Sequence, residues 1–158
     1  MRRQEIIFEL KKYFKIYELV GKYTYRIHKD RAWKFFSTES LEMLLIIRKN
    51  IDRPMTINTW FWGGKFSQRG LRSNLSTIFK RMFSLGKLYL SAHVLGEGFD
   101  FDVEGMTAPE VRQWVKENAF LFPMKVRLER LKKGKQINWV HADVMHEEKN
   151  PKIYEFDV

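Results

Sequence analysis

The spacing of apolar residues changes period along this chain, and that change restricts the fold more than any other feature. In the first half, apolar side chains recur every three or four positions. Ile6, Ile7, Leu10, Tyr13, Phe14 and Tyr17 predict an amphipathic helix over 5–20. Leu41, Leu44, Leu45 and Ile51 predict a second helix after Ser37-Thr38, with Glu39 and Glu42 in its first turn and Pro54 ending it. A third carries Leu71, Leu75, Ile78, Phe79, Met82 and Phe83 on one face, closed by Gly86 as a left-handed cap. A fourth opens on the capping box Thr107-Ala108-Pro109-Glu110. Elsewhere the period shortens. Residues 124–130 and 137–144 read as strands around a Lys133-Gly134 turn, 153–158 as an edge strand, and 55–60, 88–92 and 99–103 as further short strands. The basic, aromatic stretch 22–36 is compatible with either state. Together these elements predict one α+β domain with a mainly antiparallel central sheet and helices packed on it.

No apolar run exceeds Met43 to Ile47, so no segment reaches the eighteen or so residues of a membrane span. The start, Met1-Arg2-Arg3-Gln4-Glu5, leads into a stretch broken by Glu9 and lysines rather than into the apolar core of a signal peptide, and cytoplasmic synthesis is expected. With no cysteine, disulfides, thiolate metal sites and cysteine nucleophiles are excluded. The 29 Lys and Arg outnumber the 19 Asp and Glu, giving a net charge of +10. That charge favours polyanions: nucleic acid, an anionic membrane face or an anionic cell-wall polymer. No recognition-helix or RNA-binding signature accompanies it, so no specific nucleic-acid partner is expected.

Two of the four histidines have informative surroundings. In Ser91-Ala92-His93-Val94-Leu95-Gly96-Glu97-Gly98-Phe99-Asp100, an imidazole and a carboxylate lie seven residues apart with two glycines between them. A strand–loop–strand there would bring them to one side of a sheet. In Trp139-Val140-His141-Ala142-Asp143, strand alternation puts Trp139, His141 and Asp143 on one face. Two imidazoles and one carboxylate, with a fourth position left for water, make the ligand set of a catalytic zinc site. His93 and His141 would supply the imidazoles, and Asp100 or Asp143 the carboxylate.

The pattern Ser91-x-His93-x-x-Gly96-x-Gly98-x-Asp100, followed by Trp139-x-His141, resembles the D-Ala-D-Ala carboxypeptidase and L-alanyl-D-glutamate endopeptidase family of zinc peptidases, whose zinc site is shared with hedgehog signalling domains. Gly98 stands where the family usually has Ala. The resemblance spans roughly residues 40–145 and leaves 1–38 as an N-terminal helical extension. It implies a hedgehog-like fold, Zn2+ bound by His93, Asp100 and His141, and cleavage of the peptide part of bacterial peptidoglycan, as carboxypeptidase or endopeptidase. It also implies that Ser91 belongs to the substrate site and that Arg72, in Arg72-Ser73, holds a substrate carboxylate. Arg69 is the competitor for that role.

The family's general base stands three residues before the last ligand, and here that position is Asn138, whose amide cannot take a proton. Glu129, across the Lys133-Gly134 turn, and Asp143, on the face of His141, are the substitutes; Asp143 is alternatively a partner that orients an imidazole. The Asn138 departure also admits a metal fold without hydrolysis, a phage structural or wall-binding module. A monomer is expected. Synthesis without a leader suits a phage-type enzyme that meets the wall after release; the alternative is a cytoplasmic enzyme trimming recycled wall fragments.

Overall fold

In the computed structural model the described residues run from 2 to 158, so Met1 of the expected extension lies outside them. They include seven α-helices: α1 (Arg3–Leu10), α2 (Ile16–Leu19), α3 (Lys22–His28), α4 (Thr38–Ile51), α5 (Thr77–Ser84), α6 (Ala92–Leu95) and α7 (Ala108–Glu117). Five strands, β1 (Met55–Thr56), β2 (Gly98–Val103), β3 (Val126–Lys132), β4 (Lys135–Asp143) and β5 (Ile153–Asp157), form one sheet in the order β1-β2-β4-β3-β5. The class is α+β, as expected. Three pairings are antiparallel, but β5 runs parallel to β3, so the sheet is mixed. The parallel edge follows from a short crossover: β4 ends at Asp143 opposite Arg127, and 144–152 passes over the start of β3 to bring Ile153 beside Val126.

Local chemistry explains the elements that match expectation. Lys133 and Gly134 both have positive φ (51° and 73°), the geometry of the two-residue turn that suits a twisted hairpin. Ser37 caps α4 by accepting from the Ser40 N–H, and the Thr107–Glu110 box caps α7.

Other elements differ, each for a tertiary reason. The helix over 5–20 is broken between α1 and α2. Leu10 and Leu19 are both fully buried, yet nine residues, two and a half turns, would set them on opposite faces of one helix. The ambiguous 22–36 stretch is helical, α3 followed by a 3-10 segment, Lys29–Phe35. The helix expected from Leu71 starts only at Thr77, because Leu71 is buried in an extended bridge with Val20 and Ser76 supplies the cap. The strand expected over 88–92 does not form. One edge of β2 is held by β4; the other is held by β1 and by the Arg69 carbonyl, which accepts from the Asp100 N–H. The strand over 55–60 shortens to β1 as Ile57 and Asn58 turn inward.

The sheet separates core from site by alternation. Phe99, Phe101 and Val103 of β2, Val126 and Leu128 of β3, and Val140 and Ala142 of β4 are buried in one apolar cluster, with Val111 and Val115 of α7 part of the same cluster. The cluster also includes Ile6, Leu10, Phe14, Leu19, Trp33 and Phe36, so residues before 38 share the core with the motif-bearing segment. The opposite parity on the same strands carries Asp100, Arg127, Glu129, His141 and Asp143.

Candidate metal centre

Strand register builds most of the site. Asp100 of β2 pairs with His141 of β4, and His141 pairs with Glu129 of β3, so the three stand in one cross-strand row. The neighbouring row on the same face carries Gly98, Asp143 and Arg127. The third candidate ligand arrives differently. His93 sits on the one-turn helix α6, and its turn ends at Gly96 with φ +69°, where a Cβ would lie 2.1 Å from the Phe35 carbonyl oxygen. Only glycine fits that backbone. The Gly96 carbonyl in turn accepts from the Ser37 N–H and the Ser40 hydroxyl, which ties α6 to the start of α4.

His93, Asp100 and His141 converge as a buried group whose candidate ligand atoms lie within 4.8 Å of one another. Each imidazole is fixed through the nitrogen that faces away from the group. His93 Nδ1 donates to the Gly70 carbonyl at 2.9 Å, which assigns the proton to Nδ1 and leaves the Nε2 lone pair facing Asp100 Oδ2 at 3.3 Å. His141 Nε2 donates to Asp143 Oδ2 at 2.8 Å, and its Nδ1 lies 2.7 Å from Asp100 Oδ1. A metal-binding histidine characteristically gives its other N–H to a carbonyl or a carboxylate, and here one does each.

The electrostatics agree with that geometry. Burial pushes the His93 pKa down, against the pull of Asp100, so the ring is held neutral and ligand-ready. Two acceptors, a neutral Nε2 and a carboxylate oxygen, then face each other at 3.3 Å, and a cation between them removes the repulsion. About 3.3 Å is also the spacing of ligand atoms around a tetrahedral ion with bonds of about 2.0–2.1 Å. Burial opposes charge on His141, yet hydrogen bonds with Asp100 and Asp143 outweigh it and raise its pKa. The pocket favours positive charge at His141 Nδ1, whether a proton or a metal ion supplies it. Burial likewise works against the Asp143 carboxylate, but His141 and Arg127 hold its pKa below the usual range. The Arg127 fork is bidentate, at 2.7 and 3.0 Å, and its guanidinium stacks over Phe156. The described residues thus fit a metal ion.

The remaining candidates fall around this group. Glu129 is half-buried; burial raises its pKa, and its Oε1 has no hydrogen-bond partner among the described residues. Asn138 is exposed. Asp143 is fully enclosed by His141, Arg127 and the Met145 N–H, the arrangement of an orienting group. Arg72 reaches Asp100 Oδ2 at 3.4 Å and is steadied by the Gln68 carbonyl and the Tyr89 hydroxyl, both at 2.7 Å. Arg69 is occupied: it pairs with Asp102 and lies over Phe66. Ser91, the residue before α6, has a buried Oγ without a hydrogen-bond partner among the described residues. A cleft of about 300 Å3, lined by Phe66, Gln68, Arg69, Arg72, Asp100 and Trp139, opens onto the group.

Three contributors escape the sequence reading. Arg127 shares parity with Glu129 on β3, a signal that was there to use. The Gly70 carbonyl and the Tyr89 hydroxyl leave none, since both act through loop geometry. A Cβ on Gly70 would lie 1.9 Å from the Leu19 carbonyl oxygen, so that backbone approach requires glycine. Compared with known proteins, the chain matches no family model, no curated protein and no solved structure.

Proposed function

We propose that the chain is a zinc-dependent peptidase of hedgehog-like fold that cleaves the peptide part of bacterial peptidoglycan, with His93, Asp100 and His141 as the ligands. The observation that carries this reading is the convergence of the three residues, with both imidazoles locked from behind by Gly70 and Asp143. A resident zinc would supply a Lewis acid that acidifies water and polarises a carbonyl. Two imidazoles and one carboxylate leave room for such chemistry, whereas structural zinc sites close with four protein ligands.

The chain's own residues would do the rest. Glu129, with a raised pKa and a free Oε1, holds and moves the proton that passes to the leaving amine. Arg72, at the cleft, would receive a carboxylate of the stem peptide, with Ser91 beside His93 in the same site. Asp143 orients His141 and is not the base. The +10 charge favours adsorption to an anionic wall.

The test pairs metal content with hydrolysis of muropeptides. The zinc-loaded protein should contain one zinc and release a product, and Glu129→Gln should keep the zinc while lowering the rate on the order of 100- to 10,000-fold. A protein that binds no zinc sinks the reading. The exposed Asn138 at the family's base position favours a second reading, a metal-binding wall or phage structural module; zinc binding with no turnover in either protein would select it.

A further inference from the structure

Between Arg72 and Ser91 the chain leaves the metal group and returns to it: the Arg72 N–H donates to the His93 carbonyl, and the Arg72 side chain donates to the Tyr89 hydroxyl. Across residues 73–90 of this excursion no residue is buried. Yet it is rich in apolar residues: Ile78, Phe83, Leu85, Leu88 and Leu90 are exposed, Phe83 by 76% and Leu88 by 84%. On α5 the apolar arc runs through Ile78, Met82, Phe79 and Phe83, with Lys80 and Arg81 flanking it on either side. Across the adjoining groove, α3 adds exposed Tyr23 and Ile27.

The charge on this face points to its occupant. No acidic residue occurs between Asp52 and Glu97, while that interval holds Arg53, Lys65, Arg69, Arg72, Lys80, Arg81 and Lys87. Lys80, Arg81 and Lys87 are exposed and make no ion pair among the described residues. A second copy of the chain would set these cations against their own equivalents. A nucleic acid would pair the cations but leave the aliphatic arc without a partner. An anionic bilayer surface satisfies both, because its headgroups take the Lys and Arg while the boundary beneath accepts the Leu and Phe.

We propose that 73–90 is a membrane-surface element that seats the metal centre on anionic lipid, without spanning the bilayer. It stands apart from the peptidase reading, since it needs neither zinc nor turnover.

The test is co-sedimentation of the full chain with vesicles of phosphatidylglycerol mixed equally with phosphatidylcholine, and with phosphatidylcholine alone. The protein should sediment with the anionic vesicles only. Replacing Lys80, Arg81 and Lys87 by Gln should weaken partitioning on the order of 100-fold. Phe83→Glu with Leu88→Glu should abolish it, while circular dichroism stays unchanged because neither side chain is buried. A Leu88→Trp reporter should shift its emission to the blue on anionic vesicles. No sedimentation with anionic vesicles overturns the proposal, and so does binding that Phe83→Glu with Leu88→Glu leaves intact, which would be charge alone. A dimer in solution that this double variant dissociates overturns it in favour of a second copy.

Discussion

The candidate metal group joins two kinds of structure. Asp100, His141, Glu129, Asp143 and Arg127 come from three neighbouring strands, and their places follow from register: alternate residues, adjacent rows, one face. His93 and Arg72 come from a one-turn helix and a loop, and their places follow from contacts made far along the chain. The Gly70 carbonyl holds the His93 ring, Leu19 packs on Gly70, and Phe35 and Ser37 close on Gly96. The strand-built half is therefore braced by its own sheet, and the loop-built half by the N-terminal helices.

Removing residues 2–38 tests that bracing most severely. It takes Ile6, Leu10, Phe14, Ile16, Leu19, Val20, Trp33 and Phe36 out of the core. Losing a large buried side chain costs about 2–5 kcal/mol, and the sum exceeds the roughly 5–15 kcal/mol of a whole domain. The truncated chain should show no cooperative unfolding transition in urea; a folded, zinc-binding remainder would break the comparison.

Gly96→Ala strikes the loop half at a single point. The positive φ and the 2.1 Å approach to the Phe35 carbonyl both penalise a Cβ. A loss of unfolding free energy on the order of 3 kcal/mol is expected in urea titrations, larger than for the same change at Gly134, where the turn has open space around it.

Arg127→Leu probes the strand half. With its bidentate partner gone, Asp143 keeps His141 less firmly, and zinc affinity measured against a competing chelator should fall about 10- to 100-fold with little change in fold. An unchanged affinity would show that the strands alone orient His141.

The smallest effect is expected from Arg72→Lys. The charge beside Asp100 is kept, so zinc affinity should move by less than about tenfold. Hydrolysis of a stem peptide with a free carboxylate should drop, and should drop much less for the amidated peptide, because the wild-type site has then lost its charge-assisted partner as well. Equal losses on both substrates would make Arg72 a brace for Asp100 and Tyr89 instead.

The same division governs what could be read in advance. A period of two in 137–144 was enough to set Trp139, His141 and Asp143 on one face, and the Lys133-Gly134 turn was enough to bring Glu129 across to His141. The His93–Asp100 spacing was also legible, although the route was not: the expected strand over 88–92 is irregular up to Ser91, and His93 comes instead from α6, in the stretch expected as a loop. Arg127 lay within reach of the parity argument and was not drawn from it. The choice between Arg72 and Arg69 was closed to it, and both line the cleft in the folded chain, Arg69 paired with Asp102 and Arg72 bonded to Gln68, Tyr89 and Asp100.

By itself, then, the sequence determined the elements whose reasons are local: the capped helices α4 and α7, the β3–β4 hairpin, the parity of each strand and the residue types able to hold a metal. Tertiary structure decided the break between α1 and α2, the parallel edge at β5, the late start of α5 and the tautomer of His93. The physical reason is range. Side-chain period and capping act over three or four neighbours, whereas a buried carbonyl such as that of Gly70, twenty-three residues from the ring it holds, is placed only when distant segments close on the same core.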